Sequence, residues 1–355
     1  HNPGEARDYL VRNDITLRLF APPYPLDYAA NMAVRFTNLE PLKLLIQNGV
    51  DFNIPNTLAS IINNGEDDAN YKEKLLDTAR LIIENGADVN RDDPDGVSPI
   101  IHAIENENAN MVQLLVDNGA DVNKTSVNGP ISLIVALFNT NHEIVKILIE
   151  AGADVNFVIR DTAYDDTYSG FTALHAAIID GDNEMDSILK NIQMLIDAGA
   201  DVNRGNDDGE TPLHTAVLAF RFNVEGLREN DLNDNNSNLD RVIELLIRNG
   251  ADVNQKDNDG MTPFFHLLSQ YHSKRLETVK LFMENGADIN VADKEKMTPF
   301  HFIVNVSLNI QERDMRDGWY GRKDSRDIIE GLGKTVEDSL DIISIILNHP
   351  GVVVD

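Results

Sequence analysis

The chain of 355 residues contains no cysteine, so neither disulfide bonds nor thiolate chemistry is available to it. This absence fits the cytoplasm or another reducing compartment. No run of 18 or more apolar residues occurs, which excludes a transmembrane helix, and no secretory signal opens the sequence. Basic side chains are scarce, since 30 Lys and Arg face 59 Asp and Glu and give a formal charge of −29. Such a field repels phosphates, which argues against nucleic acid and membranes and favours a protein partner with a basic surface.

A repeated motif is the strongest positive feature of the sequence. A Gly followed by a version of A-D-V-N occurs seven times, as in the run from Gly86 to Asn90. Between the second, third and fourth copies the spacing is 33 residues, and a period of this length indicates a solenoid of stacked units. The repeated glycines are Gly49, Gly86, Gly119, Gly152, Gly199, Gly250 and Gly286.

Each unit carries the signals of two helices. Thr211 and Pro212 predict the start of a first helix, because a hydroxyl can accept from a free N–H and Pro has no N–H to leave unsatisfied. A second helix shows apolar residues at helical spacing, for example Val242, Leu245 and Leu246. The Gly ends that helix, and Asp- and Asn-rich turns then suit a hairpin-like finger. One unit cannot bury its apolar face alone, whereas stacked neighbours can.

With its copies of T-P-L-H in view, the chain resembles the ankyrin-repeat family. These copies are Thr172–His175, Thr211–His214, Thr262–Phe265 and Thr298–His301, with Ser98–Ile101 as a variant. The resemblance covers residues 24–355 and implies an all-α repeat solenoid of about eight ankyrin repeats, each a helix-turn-helix plus a finger loop. We expect an N-terminal cap at 1–23 and one ankyrin-repeat domain at 24–355, with repeats near 24–55, 56–90, 91–123, 124–156, 157–203, 204–254, 255–290 and 291–355.

Insertions lengthen the later repeats near 157–170, 223–238 and 308–335. The first extends a finger. The second is rich in Asn and Asp and is predicted to be a solvated loop between helices. The third carries the only tryptophan, Trp319, beside Tyr320. It is either a helical extension that covers the end of the stack or a binding epitope, since long loops on rigid scaffolds often carry function.

Three histidines occupy one repeated slot, at His175, His214 and His301. In ankyrin proteins this slot resembles a structural hydrogen-bond post that links Thr to neighbouring backbone. We therefore predict a structural role, because a catalytic His needs a specific partner rather than a period. Ile101 and Phe265 stand in the slot in other units, so those units must hold their loops in another way.

The sequence contains no complete motif for a metal, a cofactor or catalysis. The turn at Asp257–Gly260 resembles part of an EF-hand, but Gln255 and His266 would stand where carboxylates are required. The G-K-T at 333–335 ends like a phosphate-binding loop, but Ile328 stands in place of its first Gly. Neither H-E-x-x-H nor G-x-S-x-G occurs. We predict a protein that is not an enzyme and that holds no metal or cofactor.

The resemblance implies that a partner lies against the fingers and the first helices. The positions that match the family's variable surface are Asp92, Asp95, Val97, Glu105, Asn106, Phe138, Asn139, Ile179, Asp180, Asp207, Asp208, Glu210, Asn258, Asp259, Met261, Gln270 and Tyr271. Trp319 and Tyr320 are further candidates. This acidic row with a few apolar members suits a partner that presents Lys or Arg around an apolar anchor. The alternative is that its Asp and Asn residues only form turns and solubilise the chain.

The predicted function is a protein–protein interaction module that acts as a monomer. Asn-rich loops and irregular repeat lengths are similar in style to ankyrin proteins that intracellular bacteria deliver into host cells, so a secreted effector is one hypothesis. The alternative is a targeting or regulatory ankyrin region of a larger enzyme whose catalytic domain lies outside residues 1–355.

Overall fold

The computed structural model describes the chain over residues 39–53, 57–63, 69–125, 131–139, 141–160, 169–179, 185–224, 232–269, 276–301 and 340–348. At 69–71, 219–224, 232–239 and 269 it describes the backbone alone. The predicted cap at 1–23 and the insertion at 308–335 lie outside these ranges.

The chain divides into two compact units, His1–Val155 and Asn156–Asp355. The boundary falls inside the A-D-V-N sequence that follows Gly152. The repeats, which the sequence predicts to form one domain, fall into these two sets.

The described part of the first unit is built of helix pairs. Its helices are α1 (Leu39–Gln47), α2 (Thr57–Ile62), α3 (Ala69–Glu84), α4 (Pro99–Glu105), α5 (Ala109–Asp117), α6 (Ser132–Phe138) and α7 (His142–Glu150). The short first helices pack in the order α2, α4, α6, and the second helices pack in the order α3, α5, α7. This alternation of two stacked layers is the predicted helix-turn-helix repeat.

The second unit follows the same plan. Its helices are α8 (Ala173–Ile179), α9 (Met185–Asp197), α10 (Pro212–Val224), α11 (Leu232–Arg248), α12 (Pro263–Ser269) and α13 (Leu276–Glu284), with further helical residues at 299–301 and 340–348. Helices α8, α10 and α12 pack in order as first helices, and α9 packs on α11. None of the helices in the described ranges of either unit is long and apolar enough to cross a membrane.

Apolar residues at helical spacing form the core between the layers. In α5, Met111, Val112 and Leu115 have no exposed surface, and Ile144, Val145 and Leu148 repeat that pattern in α7. Burial of each such side chain stabilises the stack by about 1.5–3 kcal/mol relative to exposure. A repeat therefore gains its core only when a neighbour covers it.

The end of each second helix is set by an Asn-Gly or Ala-Gly pair. At the end of α5, Gly119 has a φ of 85°, which a residue with a Cβ adopts only at a cost. This conformation lets the Ala120 N–H donate to the Leu115 carbonyl at 2.9 Å, while the Asn118 side chain donates to Leu114 O at 2.7 Å. The last carbonyls of the helix are thus satisfied by its own terminating residues.

At five places in the described ranges, the Asn of the A-D-V-N motif joins one repeat to the next by two hydrogen bonds. In the first unit, the Asn90 amide nitrogen donates to Gly119 O at 2.9 Å and its oxygen accepts from Asp121 N at 2.7 Å. Asn123 makes the same two bonds to Gly152 O and Asp154 N. The Asp of the motif prepares this geometry, since Asp121 Oδ1 accepts from Asn123 N.

The second unit continues the same bridge. Asn156 connects to Gly199 O and Asp201 N, and Asn203 connects to Gly250 O and Asp252 N. Asn254 connects in the same way to Gly286 O and Asp288 N. We name these side chains the bridging asparagines: Asn90, Asn123, Asn156, Asn203 and Asn254.

The predicted solvated loop at 223–238 is wrong over part of its length. Helix α10 continues to Val224 and helix α11 begins at Leu232, so Asn- and Asp-rich sequence at both ends of the segment is helical. Asn and Asp are weak helix formers in isolation, but extending a helix that tertiary packing already holds needs no new nucleation.

Replacement of a bridging asparagine is expected to weaken the stack. Asn203→Ala removes the donor to Gly250 O and the acceptor for Asp252 N, and should lower the free energy of unfolding by about 2 kcal/mol in urea denaturation followed by circular dichroism. The control Asn110→Ala changes an exposed helical residue and should stay within about 0.5 kcal/mol of wild type. Equal losses for the two variants would contradict the bridging role.

Candidate functional site

Four of the described fingers turn around one buried or half-buried Asx side chain. In the finger between Asn90 and α4, Asp93 Oδ1 accepts from Asp95 N and Val97 N, both at 2.9 Å. The Asp93 N–H also donates to Val97 O at 3.0 Å, which closes the hairpin. The side chain thereby satisfies the backbone donors of a turn that has no strand beside it.

Three further fingers use the same device. Asp257 Oδ1 accepts from Asp259 N and Met261 N, and Asp293 Oδ1 accepts from Glu295 N and Met297 N. In the third of these fingers an Asn replaces the Asp: Asn206 Oδ1 accepts from Asp208 N and Glu210 N. We name the four side chains the turn-forming residues: Asp93, Asn206, Asp257 and Asp293.

The turn-forming residues separate two classes of carboxylate that the sequence cannot distinguish. Asp95, Asp208 and Asp259 follow them by two positions and contribute only a backbone N–H to the turn. Their side chains are exposed, and 78% of the Asp259 side chain is accessible. Among the described residues, no hydrogen bond or ion pair engages the carboxylates of Asp95 and Asp208. Asp259 faces only the exposed Lys294, at 3.9 Å.

The predicted hydrogen-bond post is confirmed at His175 and His214. His214 Nδ1 accepts from Thr211 N at 3.0 Å, and its Nε2 donates to Met261 O in the next repeat at 3.2 Å. His175 relates in the same way to Thr172 N and to Glu210 O. Each ring therefore connects the start of a first helix to the base of the following finger.

Burial sets the protonation state of these two rings. Neither side chain has any exposed surface. Because burial disfavours the charged imidazolium, it lowers the pKa of His175 to about 4 and that of His214 to about 4, below the ordinary 6.5. Both are neutral at pH 7, as an Nδ1 that accepts a backbone N–H requires.

A second type of histidine post was missed from the sequence. Ile101 and Phe265 occupy the slot in two other repeats. In those repeats a histidine, His102 or His266, follows one position later. His102 Nε2 lies 2.8 Å from Asp93 Oδ2, and His266 Nε2 lies 2.7 Å from Asp257 Oδ2. The signal in the sequence was a His nine residues after the turn-forming Asp in both fingers.

These histidines alter the turn-forming carboxylates. Burial alone would raise the pKa of Asp93, but hydrogen bonds from Val97 N–H, His102 and Asp95 N–H lower it below its usual value. The pKa of Asp257 is lowered against burial by His266 and the Met261 N–H. At Glu210, by contrast, burial raises the pKa and an Asn206 hydrogen bond offsets only part of that rise.

One cluster of side chains has the composition of a metal site. His214, Asp257 and His266 bring their ligand-type atoms within 4.8 Å of one another. The His214 tautomer does not fit a metal, because Nδ1 accepts from Thr211 N and Nε2 carries the proton that Met261 O accepts. A metal at Nε2 would require that proton to leave and both bonds to break. The cluster is therefore a structural hydrogen-bond network.

The fingers of the second unit are joined tip to tip. Asn258 N donates to Asp208 O and its side chain donates to Asp207 O, both at 2.8 Å. Lys294 N donates to Asp259 O at 3.1 Å in the next pair. A Cβ at Gly209 would stand 2.9 Å from Asn258 N, so the glycine permits this close approach. The tips form one continuous row from Asp207 to Lys294.

The remaining predicted site residues lie in several environments. Asp92 is paired with Lys124 at 2.6 Å, and Asp207 accepts from Ser169 Oγ at 2.6 Å. Glu105 and Asn106 are exposed at the end of α4, while Asn139 follows α6. Those with part of their surface exposed are Asp92, Val97, Phe138, Asn139, Ile179, Glu210 and Met261. Predicted residues outside the described ranges are Asp180, Gln270, Tyr271, Trp319 and Tyr320.

The turn-forming role predicts an asymmetric response to substitution at Asp257. Asp257→Ala leaves the N–H groups of Asp259 and Met261 without their acceptor and should lower the free energy of unfolding by about 2 kcal/mol. Asp257→Asn keeps Oδ1, as Asn206 does in its own finger, and should recover most of that loss. Urea denaturation and amide exchange at Met261 measure both effects. An Asn variant as destabilised as the Ala variant would contradict the turn-forming role.

Comparison with known proteins agrees with this geometry. A family model for ankyrin repeats matches in three copies, at residues 68–159, 158–238 and 233–310, which together cover more than half of the chain. A segment of 98 residues, 26% of the chain, is 36% identical to an ankyrin repeat protein of fowlpox virus (strain NVSL). The chain spans 22% of the length of that relative.

A solved structure is similar as well. The crystal structure of an ankyrin repeat domain from Acinetobacter baumannii AYE superposes with a TM-score of 0.50 at 25% identity, over 63% of this chain and 99% of that one. Repeats of this kind generally serve as protein–protein interaction modules and are typically not catalytic. The helix pairs, the fingers and the family model that covers most of the sequence establish that the chain belongs to the ankyrin-repeat family.

Proposed function

We propose that the chain is a non-enzymatic interaction module whose fingers and first helices bind a protein partner with a basic surface. The observation that carries this proposal is the separation of the finger carboxylates into two classes. The turn-forming residues are held inside the hairpins, so the exposed Asp95, Asp208 and Asp259 are not needed to build the turns.

The turn-formation alternative therefore accounts for only part of the acidic row. It explains the four turn-forming residues, because the Oδ1 atom of each accepts hydrogen bonds from backbone N–H groups. It does not explain carboxylates that point into solvent two positions later. Exposed carboxylates on a preorganised turn attract Lys and Arg without an ordering cost on this side of the interface.

The first helices supply the neutral part of the proposed surface. In the first unit Phe138 is the last residue of α6, which carries no charged side chain, and in the second unit Ile179 is the last residue of α8. Each has part of its surface exposed and is a separate candidate anchor for the fingers of its own unit. An apolar anchor beside charged finger tips is the arrangement in which a desolvated contact carries affinity and charges at its rim set the orientation.

The joined finger tips of the second unit favour binding as a rigid body. The bonds from Asn258 and Lys294 to the preceding fingers fix the spacing between tips. A partner then loses little free energy to ordering of the row.

Charge reversal on the fingers tests this proposal. Asp208→Lys with Asp259→Lys in the second unit, and Asp95→Lys in the first, should reduce capture of a partner from eukaryotic lysate at least about tenfold. Higher salt should weaken the wild-type complex, because screening shortens the reach of exposed charges.

The controls change the same charge on the second helices. Asp197→Lys with Glu284→Lys, and Asp117→Lys alone, reverse exposed carboxylates at or near the ends of α9, α13 and α5. These variants should keep the partner. If they lose it to the same extent, the net charge of −29 and not the finger face would be responsible.

A second candidate is the regulatory or targeting region of a larger enzyme. The observation in its favour is that the fowlpox virus relative is much longer than the segment that matches it. A coding sequence that continues from residues 1–355 into a domain without repeats would support this candidate.

We further propose that the module acts in the cytoplasm or another reducing compartment, either of the cell that makes it or of a host cell that receives it. The cysteine-free sequence supports a reducing compartment. Recovery of the full-length protein only from the producing cell, and never from host fractions, would contradict delivery.

A further inference from the structure

The two units differ in the groups that hold their fingers. In the second unit, His175 and His214 are fully buried, and each accepts a backbone N–H at Nδ1 while donating to the next finger at Nε2. In the first unit, Ile101 and Ile134 fill the same slot. No described residue of the first unit makes that pair of bonds through a histidine.

Protonation of His175 or His214 at Nδ1 would break the hydrogen bond that this atom accepts from a backbone N–H. A proton on His214 Nδ1 faces the Thr211 N–H, which then has no acceptor, and the ring becomes an ion with no exposed surface. The Thr211 hydroxyl, 2.9 Å from Nδ1, is the neutral group that remains beside it.

The charged neighbours of these rings do not compensate for burial. Asp257 favours a charge on His214, whereas His266 and His175 oppose it. For His175, the Glu210 carbonyl is the group that favours the charged ring, and burial outweighs it. Burial accordingly holds the pKa of both rings at about 4.

The finger histidine of the first unit has a different environment. His102 Nε2 lies 2.8 Å from the Asp93 carboxylate, and Nδ1 lies 3.6 Å from Glu105 and 3.2 Å from the Asn63 amide nitrogen. His266 makes the same contact with Asp257 in the second unit, so this pair is common to both units and the buried rings in the slot are what differs between them.

From this asymmetry we propose that acid loosens the fingers of the second unit before those of the first, so that its row of finger tips is intact at neutral pH and is lost on acidification. The release of a partner from that row rests on the proposed function. The loosening itself does not.

The direction follows from proton linkage. An unfolded histidine takes up its proton as the pH falls below 6.5, whereas the folded His175 and His214 resist protonation until about pH 4. Folding stability from these rings is thus complete above pH 6.5 and is lost as the pH falls from 6.5 to 4. At pH 5 each histidine should raise the population of the open state by at least about tenfold.

Amide hydrogen exchange of the full chain at pH 7.5 and pH 5.0, corrected for intrinsic rates, tests the proposal. Protection in α8, α10 and α12 should fall at least about tenfold more than protection in α4 and α6. Neutralisation of surface carboxylates lowers amide protection in both units. The difference in this fall between the two units therefore reports the contribution of the buried histidines. An equal fall in both units would overturn the proposal.

A matched pair of variants identifies the responsible ring. His214→Asn keeps an acceptor for Thr211 N but does not titrate. In this variant, the fall in amide protection of α10 and α12 between pH 7.5 and pH 5.0 should be about tenfold smaller than in wild type. His301→Asn changes the exposed copy of the same slot and should leave the loss unchanged. Identical pH responses of the two variants would overturn the assignment. If His214→Asn fails to fold, the comparison of wild-type segments decides alone.

Binding at the two pH values separates this proposal from the function it rests on. A captured partner that the Asp208→Lys, Asp259→Lys variant loses at pH 7.5, and that wild type releases at pH 5.0, would support both. No dependence on these residues at pH 7.5 would overturn the proposed binding face, whatever the exchange data show. Retention by wild type at pH 5.0, despite loosened fingers, would overturn acid release.

Discussion

The structure depends above all on an Asn side chain that makes two hydrogen bonds to the next repeat. The amide offers a donor and an acceptor on one rigid plane, and the bridge spends both, one on the carbonyl of the terminating Gly and one on the N–H of the following Asp. Neither Asp nor Gln could replace it, since Asp has no donor and Gln is longer. Because the bridge fixes one repeat against its neighbour, it also sets the separation of the fingers that follow Asn203 and Asn254 in the second unit.

The fingers are positioned by these bridges and are held further by hydrogen bonds of their own. A turn-forming Asx holds four of the described hairpins from inside, and in three of them a histidine ties the hairpin either to the preceding repeat or to that same Asx. The carboxylates of Asp95 and Asp208 at the tips are therefore not used in building the turns, as the proposed binding of a partner requires. The buried neutral rings of His175 and His214 occur in the second unit, whereas Ile101 and Ile134 fill their slot in the first, and the proposed difference in acid sensitivity rests on this contrast.

The sequence predicted the repeat, the paired helices, the Gly that ends each second helix and the histidine post, because these follow from local propensities repeated at one period. It did not predict the His102–Asp93 and His266–Asp257 pairs, which require knowing how a finger folds back on its helix. It also could not distinguish Asp93 from Asp95, since only backbone geometry decides which carboxylate turns inward. The site residues at Trp319 and Tyr320 stay predictions.

The most direct test of the account is the exchange rate of the backbone amides that the bridging asparagines accept, measured by NMR on the full chain at neutral pH. In the first unit they belong to Asp121 and Asp154, and in the second to Asp201, Asp252 and Asp288. All five lie outside the helices, yet each should exchange orders of magnitude more slowly than a free amide, because opening requires a repeat to separate from its neighbour. Exchange at the intrinsic rate would contradict the claim that the bridge holds the repeats together.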